Sequence, residues 1–175
     1  MKKSFFQKVF TLGLIASILF SCQSNNKPYN KPSTRNLQAI EYALSEFSNT
    51  LANEEIRFDN IDSILIHFIE HNDVIFGSAF GFIPTKKPDG SDSLCARYAY
   101  RKNGKIVSIG LPANYDYPND DWYAVPMKKS RAYWTKPYYD SGAAKIWMMS
   151  CAIPIYNNIE KKIIGVVTAD LSLEK

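Results

Sequence analysis

Two pairs of strand-like segments, each joined by a short asparagine-containing turn, constrain the fold of this chain most strongly. The first pair, within residues 94–111, begins with alternating apolar and polar side chains and reverses at Asn103-Gly104. The second pair occupies residues 145–173 and reverses at residues 157–160. Since strands joined by such short turns run antiparallel, these segments predict an antiparallel sheet.

The apolar pattern before these segments is helical. Apolar residues recur at three- and four-residue spacing from Leu37 to Leu51, after a candidate cap at Ser33 or Thr34, and residues 61–72 repeat the pattern. This order predicts an α+β domain, in which helices pack on one side of a five-stranded antiparallel sheet and residues 84–93 form a loop. The predicted strands are 74–83, 94–102, 105–111, 145–156 and 161–173, and a short helix is predicted at 122–130.

Composition and charge argue against a nucleic-acid-binding protein. The chain has 175 residues, enough for one domain, and its 46% apolar and 22% charged content is that of a globular protein. Without Lys2, Lys3 and Lys8 of an N-terminal leader, the formal net charge falls from +4 to +1. No cluster of Lys and Arg remains that could follow a phosphate backbone, so we expect no nucleic-acid partner.

Residues 1–21 predict a signal peptide, because a basic start precedes an apolar run of about 12 residues, shorter than the ~20 of a spanning helix. Leu19-Phe20-Ser21-Cys22 resembles the bacterial lipoprotein box. The resemblance implies that Cys22 becomes the first mature residue and carries lipid. A plain secretory leader and an uncleaved N-terminal anchor are the alternatives.

Residues 22–35 are polar, contain Pro28 and Pro32, and predict a flexible tether. Residues 36–175 are then a single domain in the cell envelope, lipid-anchored to a bacterial membrane and facing the periplasm or the exterior. Cys95 and Cys151 lie in predicted strands, where packing as small apolar side chains accounts for them. An exported compartment also permits a disulfide between them.

Residues 120–142 contain two of the three Trp of the chain, four Tyr and three Asp. Trp and Tyr form rigid walls with hydrogen-bonding tips, which a pocket for a small polar molecule needs. Carboxylates among aromatic rings favour a cation, which they attract by charge and the rings attract by their faces. Residues of these types suit the wall of a binding pocket, and the carboxylates suit a cation.

The ordered spacing of residues in the second half of the chain resembles an extracellular Cache (PAS-like) sensor domain. Residues 122–142 contain a Trp-Tyr pair, a Pro, and a Trp followed by Pro-Tyr and Asp, as in that family. Residues 149–173 contain a strand ending in Pro-Ile-Tyr, then Gly-Val-x-x-Asp-Leu-Ser-Leu, and residues 77–84 resemble the first core strand. The resemblance covers about residues 36–175. It implies a five-stranded PAS-like sheet, a long N-terminal helix, and an extracellular ligand bound on one face of the sheet.

The same resemblance implies a set of ligand-binding residues. In amino-acid-binding members, two Tyr, an Arg, a Trp and an Asp form the pocket, and here the Arg position holds Asp120. This change removes the clamp for a ligand carboxylate and keeps the amine side; Lys136, Arg97 and Arg101 are candidates to replace the Arg. The residues implied to bind ligand are Tyr115, Asp120, Trp122, Tyr123, Trp134, Tyr138, Asp140 and Asp170.

Several of these residues also have a purely structural interpretation. Trp122 and Trp134 suit lids that close the core. Asp140 suits a cap whose side chain accepts a backbone N–H, and Asp170 suits a turn at the end of a strand.

No metal, cofactor or catalytic activity is predicted. His67 and His71 lie four residues apart on a helix, as metal ligands do, but with no third ligand evident nearby they are interpreted as surface residues. The sequence has no nucleophile elbow and no glycine-rich phosphate loop. A hydrolase would have to use Asp120, Asp121 and Asp140 alone, which makes it the weakest alternative.

The resemblance thus implies an extracytoplasmic sensor for a small molecule. Since the sequence carries no effector domain, we expect it to signal through a membrane partner or to be the sensor part of a longer receptor. A structural or docking lipoprotein without a ligand is the main alternative: a well-formed aromatic pocket would count against it, and a collapsed one would favour it.

Overall fold

The computed structural model describes residues 28–174, so the predicted leader and Cys22 lie outside the described residues. The helices are α1 (Thr34–Ala52), α2 (Ile61–Glu70) and α3 (Asp121–Lys129), with a 3-10 turn at Tyr117–Asn119. The strands are β1 (Gly77–Phe82), β2 (Thr85–Lys86), β3 (Asp92–Ser93), β4 (Ala96–Lys102), β5 (Lys105–Gly110), β6 (Tyr133–Trp134), β7 (Tyr138–Tyr139), β8 (Trp147–Asn157) and β9 (Lys162–Ser172). None of the helices within residues 28–174 is long and apolar enough to span a bilayer.

The main sheet is antiparallel, with the strand order β5-β4-β1-β9-β8-β6, and β7 also pairs with β8. Its five long strands confirm the predicted five-stranded sheet. The two-residue strands β6 and β7 extend it along the outer side of β8. The prediction of a plain loop over residues 84–93 is wrong in one detail, because β2 and β3 pair there as a short ribbon.

The two predicted hairpins form for identifiable local reasons. Asn103 and Gly104 both have positive φ, 50° and 75°, as the two-residue turn between β4 and β5 requires. Between β8 and β9 the side chain of Asn157 accepts hydrogen bonds from the backbone N–H groups of Ile159 (3.0 Å) and Glu160 (2.9 Å), which closes the turn.

The helix-side core lies between one face of the sheet and helices α1 and α2. Ser33 caps α1, accepting a hydrogen bond from Asn36 N at 3.1 Å, and the predicted apolar stripe of α1 faces the sheet. Cys151 is buried in this core, and both it and Cys95 are free thiols. The fully buried members of the core include Ile40, Leu44, Leu51, Ile61, Leu65, Ile69, Phe80, Ala99 and Val167.

Helix α3 packs on the opposite face of the sheet, against β8 and β9, and so departs from the expectation that the helices lie on one side. The reason is that this face also carries apolar side chains, among them Ala152 and Val166, which α3 covers with Trp122, Tyr123 and Pro126.

The segment before α1 also contacts the sheet. Asn30 N donates a hydrogen bond to Leu173 O at 2.8 Å, and the Tyr29 ring lies 5.0 Å from the Trp147 ring. The start of α1 is therefore held close to the end of β9.

Candidate ligand-binding site

Asp170 lies in the middle of the sheet, on the face opposite α1 and α2. Alternation along β9 directs Asp170 to this face, while its neighbour Ala169 joins the helix-side core. The strand register places Asp170 between Ser150 of β8 and Gly77 of β1. The residue is only 2% exposed, so its carboxylate is enclosed by protein.

The Tyr98 hydroxyl lies beside this carboxylate because position 77 has no side chain. A Cβ atom at Gly77 would lie 2.6 Å from Tyr98 Oη, and Gly77 is the register partner of Asp170. Tyr98 Oη and Asp170 Oδ1 are both buried, and neither has a hydrogen-bond partner among the described residues. Both buried atoms therefore lack a hydrogen bond of good geometry, although the Tyr98 hydroxyl is close enough to the carboxyl group to lower its pKa.

Burial raises the pKa of Asp170 from its ordinary value of 3.8 to about 7. The nearby side chains of Ser150, Thr168 and Tyr98 oppose this rise, and the negative charge of Asp140 adds to it. The same burial, together with the charge of Asp170, raises the pKa of Tyr98 well above its usual value. The carboxyl group therefore exchanges its proton near neutral pH.

Tyr138 and Ser150 complete the polar group around Asp170. The Tyr138 hydroxyl and Ser150 Oγ are hydrogen-bonded at 2.8 Å, and burial followed by the charge of Asp170 raises the pKa of Tyr138. Ser150 lies in β8, and its backbone N donates a hydrogen bond to Thr135 Oγ1 at 3.0 Å. We call the set Tyr98, Tyr138, Ser150, Thr168 and Asp170 the Asp170 cluster.

Asp140 shapes the loop beside the cluster. Its Oδ1 accepts hydrogen bonds from Gly142 N (3.1 Å) and Ala143 N (3.3 Å), and its Oδ2 accepts one from Ala144 N (2.7 Å). These contacts correspond to the turn-cap interpretation of Asp140. Its charge also acts on Asp170, whose pKa it raises, so Asp140 belongs to the electrostatic surroundings of the cluster as well.

Tyr115, Asp120 and Trp122 form a hydrogen-bonded chain. The Tyr115 hydroxyl donates to Asp120 Oδ2 and accepts a hydrogen bond from Trp122 Nε1 at 3.2 Å. Burial, and then the bond to Asp120, raises the pKa of Tyr115. Asp120 also starts α3, because its backbone oxygen accepts from Tyr123 N and Ala124 N. Asp120, which stands where amino-acid-binding members of the family carry an Arg, is thus hydrogen-bonded to Tyr115.

Tyr117 and Tyr123 anchor these rings to β1. Both hydroxyls donate to Phe82 O, at 2.6 Å and 3.2 Å, and burial raises the pKa of both. The rings fit because position 81 is Gly: a Cβ there would lie 2.9 Å from the Trp122 ring and 3.0 Å from the Tyr123 ring. We call Tyr115, Tyr117, Trp122 and Tyr123 the aromatic lid.

Trp134 lies on the other side of the sheet from the lid. It is packed against the helix-side core, and its Nε1 donates to Glu41 Oε1 of α1 at 2.7 Å. The structure therefore separates Trp134 from the other residues that the sequence assigned to the ligand. Strand β6 connects the two regions, because Trp134 is followed directly by Thr135, which binds Ser150.

The arginines considered as substitutes for the missing Arg are engaged elsewhere. Arg97 pairs with Asp62 of α2, with Nε 2.7 Å from Asp62 Oδ1, and this pair raises the pKa of Arg97. Arg101 donates to the backbone oxygens of Ile75 (3.0 Å) and Ile69 (2.7 Å). Lys136 is exposed to solvent.

Sequence reasoning missed part of this site. Tyr98, Ser150 and Tyr117 were not assigned to it. The available signals were a polar Ser150 inside an otherwise apolar strand and the closely spaced Tyr98 and Tyr100, whose rings stack at 5.0 Å. The predicted residues that do lie on this face are Tyr115, Asp120, Trp122, Tyr123, Tyr138, Asp140 and Asp170.

His67 and His71 are exposed on α2, on the opposite side of the molecule, as interpreted from the sequence. The statement that no third ligand lies near them is wrong. Glu70 stands with both, and one ligand atom from each of the three residues lies within 4.8 Å of the others.

The sheet thus carries α1 and α2 on one face, and the Asp170 cluster and the aromatic lid on the other. Residues 61–175 match the methyl-accepting chemotaxis protein-like, first PDC sensor domain. The chain belongs to this family of sensor domains, for which PDC and Cache are alternative names, and the predicted family and fold are confirmed.

Solved structures share the fold. The extracellular domain of a protein described as a histidine kinase, soHK1S-Z6, is 26% identical, with a TM-score of 0.59 over 81% of this chain and 57% of that one. Methyl-accepting chemotaxis protein X is 23% identical, with a TM-score of 0.64 over 79% of this chain and 56% of that one. The ligand-binding domain of the Pseudomonas aeruginosa amino acid chemoreceptor PctC, in complex with GABA, is 17% identical, with a TM-score of 0.55 over 79% and 57%.

The chain thus spans a little over half of the length of these three structures. A search of curated protein sequences finds no match to it.

Proposed function

We propose that this chain is an extracytoplasmic sensor module that binds a small amine-bearing molecule at the Asp170 cluster. The observation that carries the proposal is the pair of buried, unsatisfied atoms, Asp170 Oδ1 and Tyr98 Oη. Leaving such groups unpaired costs about 1–3 kcal/mol each, and more for a charged group. A ligand that pairs with both removes this cost, which supports a binding role for the position.

An ammonium group suits these atoms. It donates up to three hydrogen bonds, which the Asp170 carboxylate, Tyr98 Oη and Ser150 Oγ can accept. Its positive charge favours the ionised form of Asp170, whose pKa burial otherwise raises to about 7. The rings of Tyr98 and Tyr138, the two tyrosines beside Asp170, add favourable cation–π surroundings.

A ligand carboxylate meets less favourable groups. Asp120 occupies the position where amino-acid-binding members carry an Arg, and Arg97 and Arg101 are bound to groups elsewhere. Asp140 and Asp170 both bring negative charge to the cluster. PctC is in complex with GABA, which has an ammonium and a carboxylate. For this chain we propose that the ammonium is the recognised group.

Entry of the ligand requires movement of the cover. Because Asp170 is 2% exposed, a molecule reaches it only when part of the segment 111–146, which carries the lid and Tyr138, moves away from the sheet. Trp134 lies in that segment and binds Glu41 of α1. We therefore propose that ligand entry acts on α1, and that α1 passes the change to a membrane signalling partner.

A thermal-shift screen of the purified protein against a metabolite library tests the function. We expect amine-bearing compounds to raise the melting temperature of the wild type and of the exposed-residue control Asp121→Asn, but not of Asp170→Asn. If no compound shifts the wild type, the closed lid is a structural feature and the docking alternative is favoured. Shifts that survive in Asp170→Asn would place the ligand elsewhere on the protein.

A further inference from the structure

A cluster of three potential metal ligands lies on the exposed side of α2, far from the Asp170 cluster. His67, Glu70 and His71 are spaced i, i+3 and i+4, which places all three side chains on one helical face. One ligand atom from each lies within 4.8 Å of the other two. This separation lets a single ion contact all three groups with small side-chain movements, because Zn–N and Zn–O bonds are about 2.0–2.2 Å long.

The two imidazole rings are held in an arrangement that suits metal binding. His71 Nδ1 lies 2.8 Å from the backbone oxygen of His67, to which it donates when it carries the proton. When Nδ1 donates this bond, His71 Nε2 has a free lone pair. In metal-ligating histidines the ring nitrogen that does not bind the metal makes a hydrogen bond of the same kind. The ring centroids of His67 and His71 are 4.1 Å apart, close enough for both rings to contact one cation.

The surroundings add negative charge. His67 and His71 line a groove of about 500 Å³ between α1 and α2, and Glu46 of α1 and Glu54, just after α1, line the same groove. Below them, the rings of Phe47 and Phe68 stack at 4.0 Å and join the two helices. A divalent cation bound by His67, Glu70 and His71 would therefore lie at a groove that also carries the carboxylates of Glu46 and Glu54.

We propose that His67, Glu70 and His71 bind one divalent transition-metal ion of the zinc class. The two nitrogen ligands decide the class, because imidazole suits zinc, nickel and copper, whereas calcium and magnesium take oxygen ligands. Water completes the coordination at an exposed site of three protein ligands. The site is separate from the proposed amine site, which lies on the other face of the sheet.

Zinc titration of the purified, untagged, metal-stripped protein tests the proposal. His67 and His71 are the only histidines of the chain, so removing both is a clean test. We expect saturable binding of one zinc ion per chain at pH 7.5, followed by calorimetry and by a rise in melting temperature. Binding should weaken at acidic pH, because protons compete with the metal for the ligand atoms. Cobalt in place of zinc should give a visible absorption spectrum that depends on the same residues.

Matched variants decide the outcome. His67→Gln/His71→Gln should abolish saturable binding, Glu70→Gln should weaken it, and Glu55→Gln, an exposed carboxylate outside the groove, should leave it unchanged. All four residues are exposed, so the variants are expected to fold, which their melting curves without metal check. Zinc binding that persists unchanged in the double variant would overturn the proposal and point to the cysteine thiols. Absence of saturable binding by the wild type would also overturn it.

Discussion

At the scale of single residues, Asp170 is the group whose environment differs most from water. Its carboxyl lies between strands β1 and β8 in the sheet, beside Tyr98 and Tyr138, and its Oδ1 lacks a hydrogen bond of good geometry among the described residues. Since the pKa is about 7 in the folded protein and 3.8 as the ordinary value, the folded chain retains a proton that the unfolded chain releases. The contribution of this group to stability is therefore greatest below about pH 4 and is lost as the pH rises to about 7.

Asp170→Asn removes this titration while keeping the size of the side chain. The wild type should lose stability relative to the variant as Asp170 ionises. We expect the free energy of unfolding of the variant to gain about 4 kcal/mol over that of the wild type between pH 4 and pH 7, and little more above pH 7. Urea unfolding at a series of pH values measures the difference.

Asp121→Asn is the control for that series, and because its carboxylate is exposed its difference from the wild type should stay constant. An Asp170→Asn difference that does not vary with pH would show that the carboxyl is ionised and satisfied in the fold. The proposal of an unpaired acceptor would then fail.

At the scale of elements, Asn157 joins α1 to the hairpin of β8 and β9. Its Nδ2 donates to Leu51 O (3.2 Å) and Glu54 O (2.6 Å) at the end of α1, while its Oδ1 closes the hairpin turn. The residue is completely buried. One side chain thus fixes the C-terminal end of the long helix against the sheet.

Asn157→Ala should destabilise the protein by about 2–4 kcal/mol, because it removes the four hydrogen bonds by which one buried side chain closes the hairpin turn and holds the chain at the end of α1. Chemical denaturation measures the change. The adjacent Asn158→Ala is the matched control: this side chain is exposed, it bonds to Asn53 Oδ1 at 3.0 Å, and its loss should cost less than about 1 kcal/mol. Equal effects of the two substitutions would contradict the role of Asn157.

The elements were predictable where the information is local. The stripe from Leu37 to Leu51 and the Asn103-Gly104 turn each specify their structure within a few residues, and both formed as expected. The face of the sheet that Trp134 joins was not predictable, because a two-residue strand has no period from which to read a side.

The same limit applies to the candidate site. Tyr98 reaches Asp170 only through the strand order β4-β1-β9 and the missing side chain at Gly77, which are contacts between distant parts of the chain. From the sequence, Arg97 and Arg101 were candidates to replace the missing Arg of the family. The alternation of side chains along β4 directs both to the face of the sheet that α2 covers. The family resemblance supplied Asp170, Tyr138 and the lid residues other than Tyr117, since ordered spacing preserves such non-local information.

At the scale of the whole molecule, α1 lies next in the chain to the predicted membrane anchor and contacts the ligand-side segment through Glu41 and Trp134. The proposed lipid at Cys22 would keep this helix close to the membrane, where a signalling partner can bind it. Anchoring and sensing therefore meet at the same helix in this account.

Cys22→Ser should prevent lipid attachment, because the serine has no sulfur to carry the lipid. In cells, we expect the wild-type protein to enter the detergent phase on phase separation and the variant to leave it. Cys95→Ser is the control, since this thiol lies within the folded domain, and it should behave as the wild type. Mass spectrometry that shows an unmodified N-terminus beyond residue 22 would refute the anchor.

The central claim is that Asp170 recognises an amine, and calorimetric titration with amine and carboxylate compounds of the same carbon skeleton tests it most directly. A matched set is butylamine, GABA and butyrate, together with amines found in the screen. We expect the amines to bind, the acid not to bind, and Asp170→Asn to weaken amine binding about 10–100-fold, as the loss of one charge-assisted hydrogen bond implies. Affinity should rise between pH 6 and pH 8, because binding requires the ionised form of a carboxyl whose pKa is about 7. Tight binding of butyrate that survives Asp170→Asn would contradict the account.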